Sequence, residues 1–227
     1  MSSPAAAGTG IVIMAKEPVP GRVKTRLCPP CNPSQAAGLA RACLVDTTAA
    51  AAATVAAGLA GWWGVSLAGE PGDWLVPRGR VMTQRGGSFD ERLAWAGEDA
   101  GRGHRPFLLV GADTPQLTPR LLGEAVAALA RPGIDAVLGP ADDGGYWVIG
   151  LRRARRDAFV GVPMSSPRTG AAQRDRLESL GLRFATVAQL ADVDTMAEAM
   201  AVAEEAPDTC FARHLRQIRA EVGIAAP

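Results

Sequence analysis

Apolar positions along the chain gather in short continuous runs, separated by polar stretches rich in glycine and proline. Ile11-Val-Ile-Met-Ala15 is unbroken and partly β-branched, the pattern of a strand buried on both faces. Further strands are predicted over Trp62 to Ala68, Arg80 to Gln84, Pro106 to Gly111, Asp135 to Gly139, Tyr146 to Leu151 and Arg183 to Val187. Between them lie helix signals. Ser34 is a plausible cap for a helix ending near Gly58 or Gly61, and Ser88 for one reaching about Ala100. Thr118-Pro119 places proline at the first helical position, and Pro132-Gly133 stops that helix after Arg131. Later helices are expected over Gly170 to Leu180, Thr195 to Glu205 and Asp208 to Val222. Strands alternating with helices of crossover length predict an α/β fold: three layers, a mostly parallel sheet with helices on both faces. Residues 1–10 read as a flexible tail and 11–227 as a single domain, with no repeat or linker.

Composition narrows this picture only slightly. Hydrophobic residues are 48% and aromatics 5%, so the core must be mostly Ala, Val and Leu. Lys and Arg number 24 against 23 Asp and Glu, which gives no reason to expect a nucleic-acid or membrane partner; any basic site must be local. The run Ile11 to Ala15 is too short for a signal-peptide core. The Ala-rich stretch from Thr47 to Ala60 is too weakly hydrophobic for a membrane span. A cytoplasmic protein is expected. Cys28-Pro-Pro-Cys31 has the spacing of a half zinc site or a redox pair, but no second C-x-x-C or nearby His accompanies it and it sits in a Pro-rich loop. Two loop thiols are the simpler reading.

Ligands of such sheets bind beyond the carboxyl ends of the strands, so the loops that follow strands hold the candidate chemistry. The loop after the first strand carries Lys16, Arg22, Lys24 and Arg26, with Pro18, Pro20 and Gly21 shaping its backbone. Cations converging there suggest a polyphosphate site, with Arg for bidentate contacts and Lys as a point charge; the alternative is a solvated basic loop. Neither a Walker loop nor a G-x-G-x-x-G is present. Asp113, directly after a strand, is placed either to hold a divalent ion or to cap a turn before Pro115. In Asp142-Asp143-Gly144-Gly145, the glycines allow close approach of a ligand, and either carboxylate can face an acceptor hydroxyl or a metal-bound water; the alternative is a hairpin or bulge, since Asp-Gly and Gly-Gly are ordinary turn pairs. Asp194 is either a second metal carboxylate or, with Thr195, a helix cap.

Together, Lys16 to Leu27, Gly111 to Pro115, Pro140 to Leu151 and Asp192 to Thr195 resemble bacterial transferases linked to arsenosugar and radical-SAM gene clusters, which are usually labelled glycosyltransferases. The resemblance spans about Ile11 to Glu205 and implies a glycosyltransferase-A, nucleotide-diphospho-sugar transferase-like fold. More distantly, the Lys-Thr-Arg-Leu, Asp-x-Pro, Gly-Gly and Asp-x-Asp-Thr elements resemble the phospholactate and molybdenum-cofactor guanylyltransferases. These likenesses imply Mg2+ held by Asp113 and Asp194, with Asp192 the alternative to the latter. They imply Arg22, Lys24 and Arg26 facing phosphates, and Ala15, Gly21, Gln84 and Gly87 near the nucleotide. Asp142, Gly144, Gly145 and Tyr146 would then face a second substrate. Met164-Ser165-Ser166 stands where many relatives carry Trp-Ser-Thr.

Two reactions fit these residues. In nucleotidyl transfer, a phosphorylated small molecule attacks the α-phosphorus of a nucleoside triphosphate, and Lys16, Arg22, Lys24 and Arg26 stabilise the departing pyrophosphate. In glycosyl transfer from a nucleotide-diphosphate sugar, a neutral hydroxyl needs a base, for which Asp143 or Asp142 is available. The density of cations favours the first. A nucleotide-binding module without turnover is a third, less favoured reading.

Overall fold

The computed structural model describes residues 8–72 and 79–222. It contains strands β1 (Gly10–Lys16), β2 (Trp62–Ala68), β3 (Arg80–Thr83), β4 (Phe107–Gly111), β5 (Ala136–Pro140), β6 (Tyr146–Leu151) and β7 (Phe184–Thr186). The helices are α1 (Pro33–Ala56), α2 (Phe89–Ala100), α3 (Pro119–Ala130), α4 (Thr169–Ser179), α5 (Met196–Glu205) and α6 (Cys210–Val222). The strands form one sheet in the order β3-β2-β1-β4-β6-β5-β7. β6 runs antiparallel to both neighbours; every other pairing is parallel. The reversal follows from chain length: residues 141–145 join β5 to β6, whereas a parallel crossover needs roughly a dozen residues or more.

Alternation along β1 divides the core. Ile11, Ile13 and Ala15 point to one face, where Leu44, Ala51, Leu122 and Val126 of α1 and α3 meet them. Val12 and Met14 point to the other, against Leu93 of α2 and Leu177 of α4. The outer side of α1 packs on Phe211 and Leu215 of α6, so α5 and α6 add a further layer beyond the expected three. By length and composition α1 passes as a membrane span, but half of its most apolar window is buried within the protein, where it serves as the core helix between sheet and α6.

Several boundaries differ from the sequence reading. The cap of α1 is Asn32, not Ser34: Asn32 accepts from the Gln35 N–H, Gln35 returns a bond to the Asn32 N–H, and Pro33 takes the first helical position. Gly10, assigned to a flexible tail, already belongs to β1 and pairs with Trp62 and Phe107. Residues 1–7 of that expected tail, residues 73–78 between β2 and β3, and residues 223–227 lie outside the described residues.

Register brings the important loops to one edge. Ile13 pairs with Val110, Val110 with Val148, and Pro140 with Tyr146. The ends of β1, β4 and β5 and the start of β6 therefore open on the same side.

Candidate functional site

The basic loop is folded back into the domain by its own sequence. Leu27, at the end of a short 3-10 turn (Thr25–Leu27), is fully buried and anchors the loop against α1. Lys24, just before that turn, has φ of 49°, a left-handed conformation costing a non-glycine residue roughly 1–2 kcal/mol. Its side chain makes the compensating contacts. Lys24 Nζ lies 2.6 Å from Asp113 Oδ1 and also donates to the Val193 carbonyl, while the Val193 N–H donates to the Asp113 carbonyl. Three segments far apart in sequence are thus tied at one point. The Lys24 side chain is 6% exposed, whereas Asp113 is 58% exposed and faces open space. Burial pushes the Lys24 ammonium down, but the facing Asp113 carboxylate leads the contributions that outweigh it, with Asp194 adding least, so the group is held above its ordinary value and stays charged.

Arg26 contacts the Asp194 carboxylate directly. The competing role for Asp194, capping α5, falls to its neighbour: Thr195 accepts from the Glu198 N–H, and Glu198 accepts from the N–H groups of Asp194 and Thr195. The Asp194 side chain is left free to meet Arg26. Asp113 likewise turns its carboxylate to Lys24 rather than into a local turn.

These groups border a cleft of about 450 Å3, whose walls include Ala15, Lys16, Arg22, Lys24, Arg26, Gln84, Asp113 and Asp194. Lys16 Nζ donates to the Arg22 carbonyl, bracing the loop across itself. The Gln84 amide nitrogen donates to the carbonyls of Ala15 and Ser66, so this side chain clamps the ends of β1 and β2 beneath the cleft. Gly21 and Gly87 are not on the wall. Gly21 occupies an exposed turn, and the Gly87 N–H donates to Glu91 in the capping box of α2.

A second cleft, of about 270 Å3, adjoins the first through Phe89, Asp113 and Ser165. Asp143, Gly145, Tyr146 and Asp192 line it; Asp142 does not, because its carboxylate accepts from Gln189. Asp143 accepts from the Gly145 N–H, so the turn reading and the cleft-facing reading hold for the same residue. Gly144 serves packing: its φ is +85°, and a Cβ there would meet the Pro167 carbonyl oxygen at 2.1 Å. Asp192 carries a buried Oδ1 with no hydrogen-bond partner. Burial, followed by the nearby Asp143 charge, pushes its carboxyl up to about 6.

A divalent ion of the magnesium type is satisfied by one or two carboxylates plus phosphate oxygens and water. Asp113, open to both clefts, together with Asp194 or the unpartnered oxygen of Asp192, fits that modest demand. Among the described residues no group of three or more His, Cys, Asp or Glu side chains is arranged to form a full metal cage. Cys28 and Cys31 are free thiols, Cys31 buried against the core.

The structure adds site residues that sequence reasoning did not single out. Arg92 and Phe89, one turn apart on α2, line the first cleft, and Ser165, with φ of 55°, stands at the junction. Phe89 and Arg92 had no sequence signal beyond proximity to Ser88, because which face of α2 meets the cleft depends on the sheet beneath it; Ser165 lies within the Met164-Ser165-Ser166 string noted above.

Comparison with solved structures finds a candidate nucleotide-diphospho-sugar transferase from Desulfovibrio desulfuricans G20 at 25% identity, with a TM-score of 0.83, covering 95% of this chain and 97% of that one. CMP:2-keto-3-deoxy-manno-octonic acid synthetase, in complex with CTP, aligns at 15% identity and a TM-score of 0.53 over 88% of this chain and 99% of its own. Rv0371c from Mycobacterium tuberculosis H37Rv aligns at 18% identity and a TM-score of 0.50, covering 86% and 97%. The last two likenesses are of fold alone. The sheet order and its one antiparallel strand are thus those of a nucleotide-diphospho-sugar transferase-like fold. No curated protein matches the sequence. A family model matches residues 38–166, more than half of the chain, and the protein therefore belongs to the family described as "Uncharacterized protein conserved in bacteria (DUF2064)".

Proposed function

We propose that this chain is a magnesium-dependent nucleotidyltransferase, joining a nucleoside triphosphate to a phosphorylated small molecule, such as a sugar phosphate, with release of pyrophosphate. The observation that carries this reading is the meeting of Lys24 with Asp113 at the mouth of a cleft that also holds Lys16, Arg22 and Arg26. A phosphate oxygen of the acceptor forms a bond to the α-phosphorus as the bond to the β-phosphate oxygen breaks, and pyrophosphate departs with the electron pair. No protein nucleophile is required, because the acceptor is already anionic. Lys16, Arg22, Lys24 and Arg26 offset the charge on the leaving group, a role for which fixed cations in a partly dehydrated cleft are suited. Asp113, with Asp194 or Asp192, would hold a divalent ion that neutralises phosphate charge. Ala15 and the Gln84 clamp form the floor on the nucleotide side, and Asp143, Gly145 and Tyr146 border the acceptor side. Support also comes from the names of the structural relatives, one a candidate nucleotide-sugar transferase and one a synthetase bound to CTP.

The test is pyrophosphate release on incubation with each of the four nucleoside triphosphates, magnesium and a pool of phosphorylated metabolites. Release that depends on both nucleotide and acceptor supports the reading; none with any acceptor overturns it. A second reading, glycosyl transfer from a nucleotide-diphosphate sugar, is favoured by one observation. The second cleft is lined by Asp113, Asp143 and Asp192 and by no Lys or Arg among the described residues. Such a wall suits a hydroxylated acceptor and offers Asp143 as a base. Turnover of nucleotide sugars without pyrophosphate release would decide for it.

A further inference from the structure

The cations of the first cleft are not equally available to a ligand. Lys24 is engaged by Asp113, Arg26 by Asp194, and Lys16 by the Arg22 carbonyl. The guanidiniums of Arg22 and Arg92 have no carboxylate partner among the described residues. Arg22 is exposed and water can solvate it. Arg92 is different. It rises from α2, outside the basic loop, and lines the same cleft. Its Nε is buried and has no hydrogen-bond acceptor, and its side-chain contact is the ring of Phe89, with the guanidinium carbon 5.5 Å from the centroid.

Two neighbouring arginines have carboxylates beside them: Arg85 meets Asp99 at 2.6 Å, and Arg156 lies 3.6 Å from Glu98, both also stacked on Trp95, although the buried Nη1 of Arg156 makes no hydrogen bond either. A buried guanidinium N–H without an acceptor costs free energy that neighbouring carboxylates ordinarily offset. Arg92 has no such carboxylate among the described residues, and it lines a cleft whose remaining charge is positive, where an anion can bond the guanidinium nitrogens other than the buried Nε.

We propose that Arg92 is a phosphate-binding residue, gripping the bound polyphosphate from the α2 side while the loop cations hold it from the β1 side. Phe89 keeps the guanidinium oriented, and Ser165 borders the same space at the junction with the second cleft. The inference rests on the nucleotide reading above and extends it: the ligand is held between two elements, so an anion of at least two phosphates binds better than one.

The test is calorimetric titration of the full chain with inorganic pyrophosphate and with orthophosphate, using wild type, Arg92→Met, Arg92→Lys and Arg22→Met, alongside thermal unfolding without ligand. Arg92→Met is expected to weaken pyrophosphate binding about tenfold or more, the order of one lost charge-assisted hydrogen bond. Arg92→Lys should recover part of that loss, and the unfolding temperature of Arg92→Met should not fall appreciably, because no hydrogen bond or ion pair within the protein is removed and Met keeps an apolar contact with Phe89. A purely structural Arg92, packed on Phe89, would show the reverse: a lower unfolding temperature and wild-type pyrophosphate affinity in Arg92→Met. That result overturns the assignment alone. A wild-type protein that binds neither pyrophosphate nor any nucleoside triphosphate overturns the nucleotide reading, and this inference with it.

Discussion

The two adjoining clefts share Phe89, Asp113 and Ser165 yet have opposite chemistry. The first is ringed by Lys16, Arg22, Lys24, Arg26 and Arg92, with two carboxylates to balance them. The second, at the mouth of β5 and β6, is lined by carboxylates, hydroxyls and aromatic rings, with no Lys or Arg among the described residues. Under the proposed function, this change of sign would sort ligands by position, with phosphates drawn to the β1 side and a hydroxylated body on the β6 side. The carboxylate on the boundary, Asp113, is held by a lysine from the first cleft while facing the second. This division, more than any one residue, is what the proposed joining of two unlike molecules would use.

The comparison is broken most completely at the boundary. Lys24→Met should remove about 2–4 kcal/mol of transition-state stabilisation, read as the loss in kcat/KM for pyrophosphate release. Retention of near wild-type turnover would mean that Lys24 only braces the loop. Asp113→Asn should abolish turnover. It also leaves the buried Lys24 ammonium facing a neutral amide, at a cost of about 1–3 kcal/mol, discounted from a fully buried pair because Asp113 is 58% exposed. Urea denaturation measures that cost, and an unchanged midpoint would show Lys24 solvated in solution.

Smaller effects sharpen the contrast between the sides. Gly144→Ala forces a Cβ onto the Pro167 carbonyl at a left-handed backbone position, so a loss of at least about 1 kcal/mol is expected in thermal unfolding. Its nucleotide affinity should change little, since Gly144 does not line the first cleft. Asp143→Asn should leave pyrophosphate affinity within about twofold of wild type while lowering turnover, because it stands on the other side of the sign change. A large drop in pyrophosphate affinity would erase the distinction between the clefts. Arg26→Gln should alter stability by less than about 1 kcal/mol, since its ion pair with Asp194 is largely solvated, with Arg26 74% exposed.

The strands and most helices were legible because local patterns decide them. Buried runs such as Ile11 to Ala15 have few other uses, and caps such as Ser88 and Thr118 act within a single turn. Asn32 displaced Ser34 as a cap because proline and a capping box outcompeted a lone serine. The antiparallel setting of β6 beside β5 is the hairpin alternative for Asp142 to Gly145, and the short link 141–145 already required it. Among site residues, Lys24 and Asp113 announced themselves by charge in loops that follow strands. Arg92 did not, because one charged residue on an amphipathic helix looks the same whether it faces water or a ligand.

By itself, then, the amino-acid order determined an α/β sheet and pointed to candidate chemistry at the ends of β1, β4 and β5, since hydrophobic periodicity and turn residues act over a few positions. Tertiary structure alone decided which charges meet. Lys24 reaches Asp113 and Val193, and Arg26 reaches Asp194, across separations of 168 and 169 residues for the contacts to the last segment. It also decided which groups remain unpaired, Arg92 and Asp192 among them. The physical reason is that an ion pair or an orphaned donor depends on distance and burial in three dimensions, which no local pattern encodes.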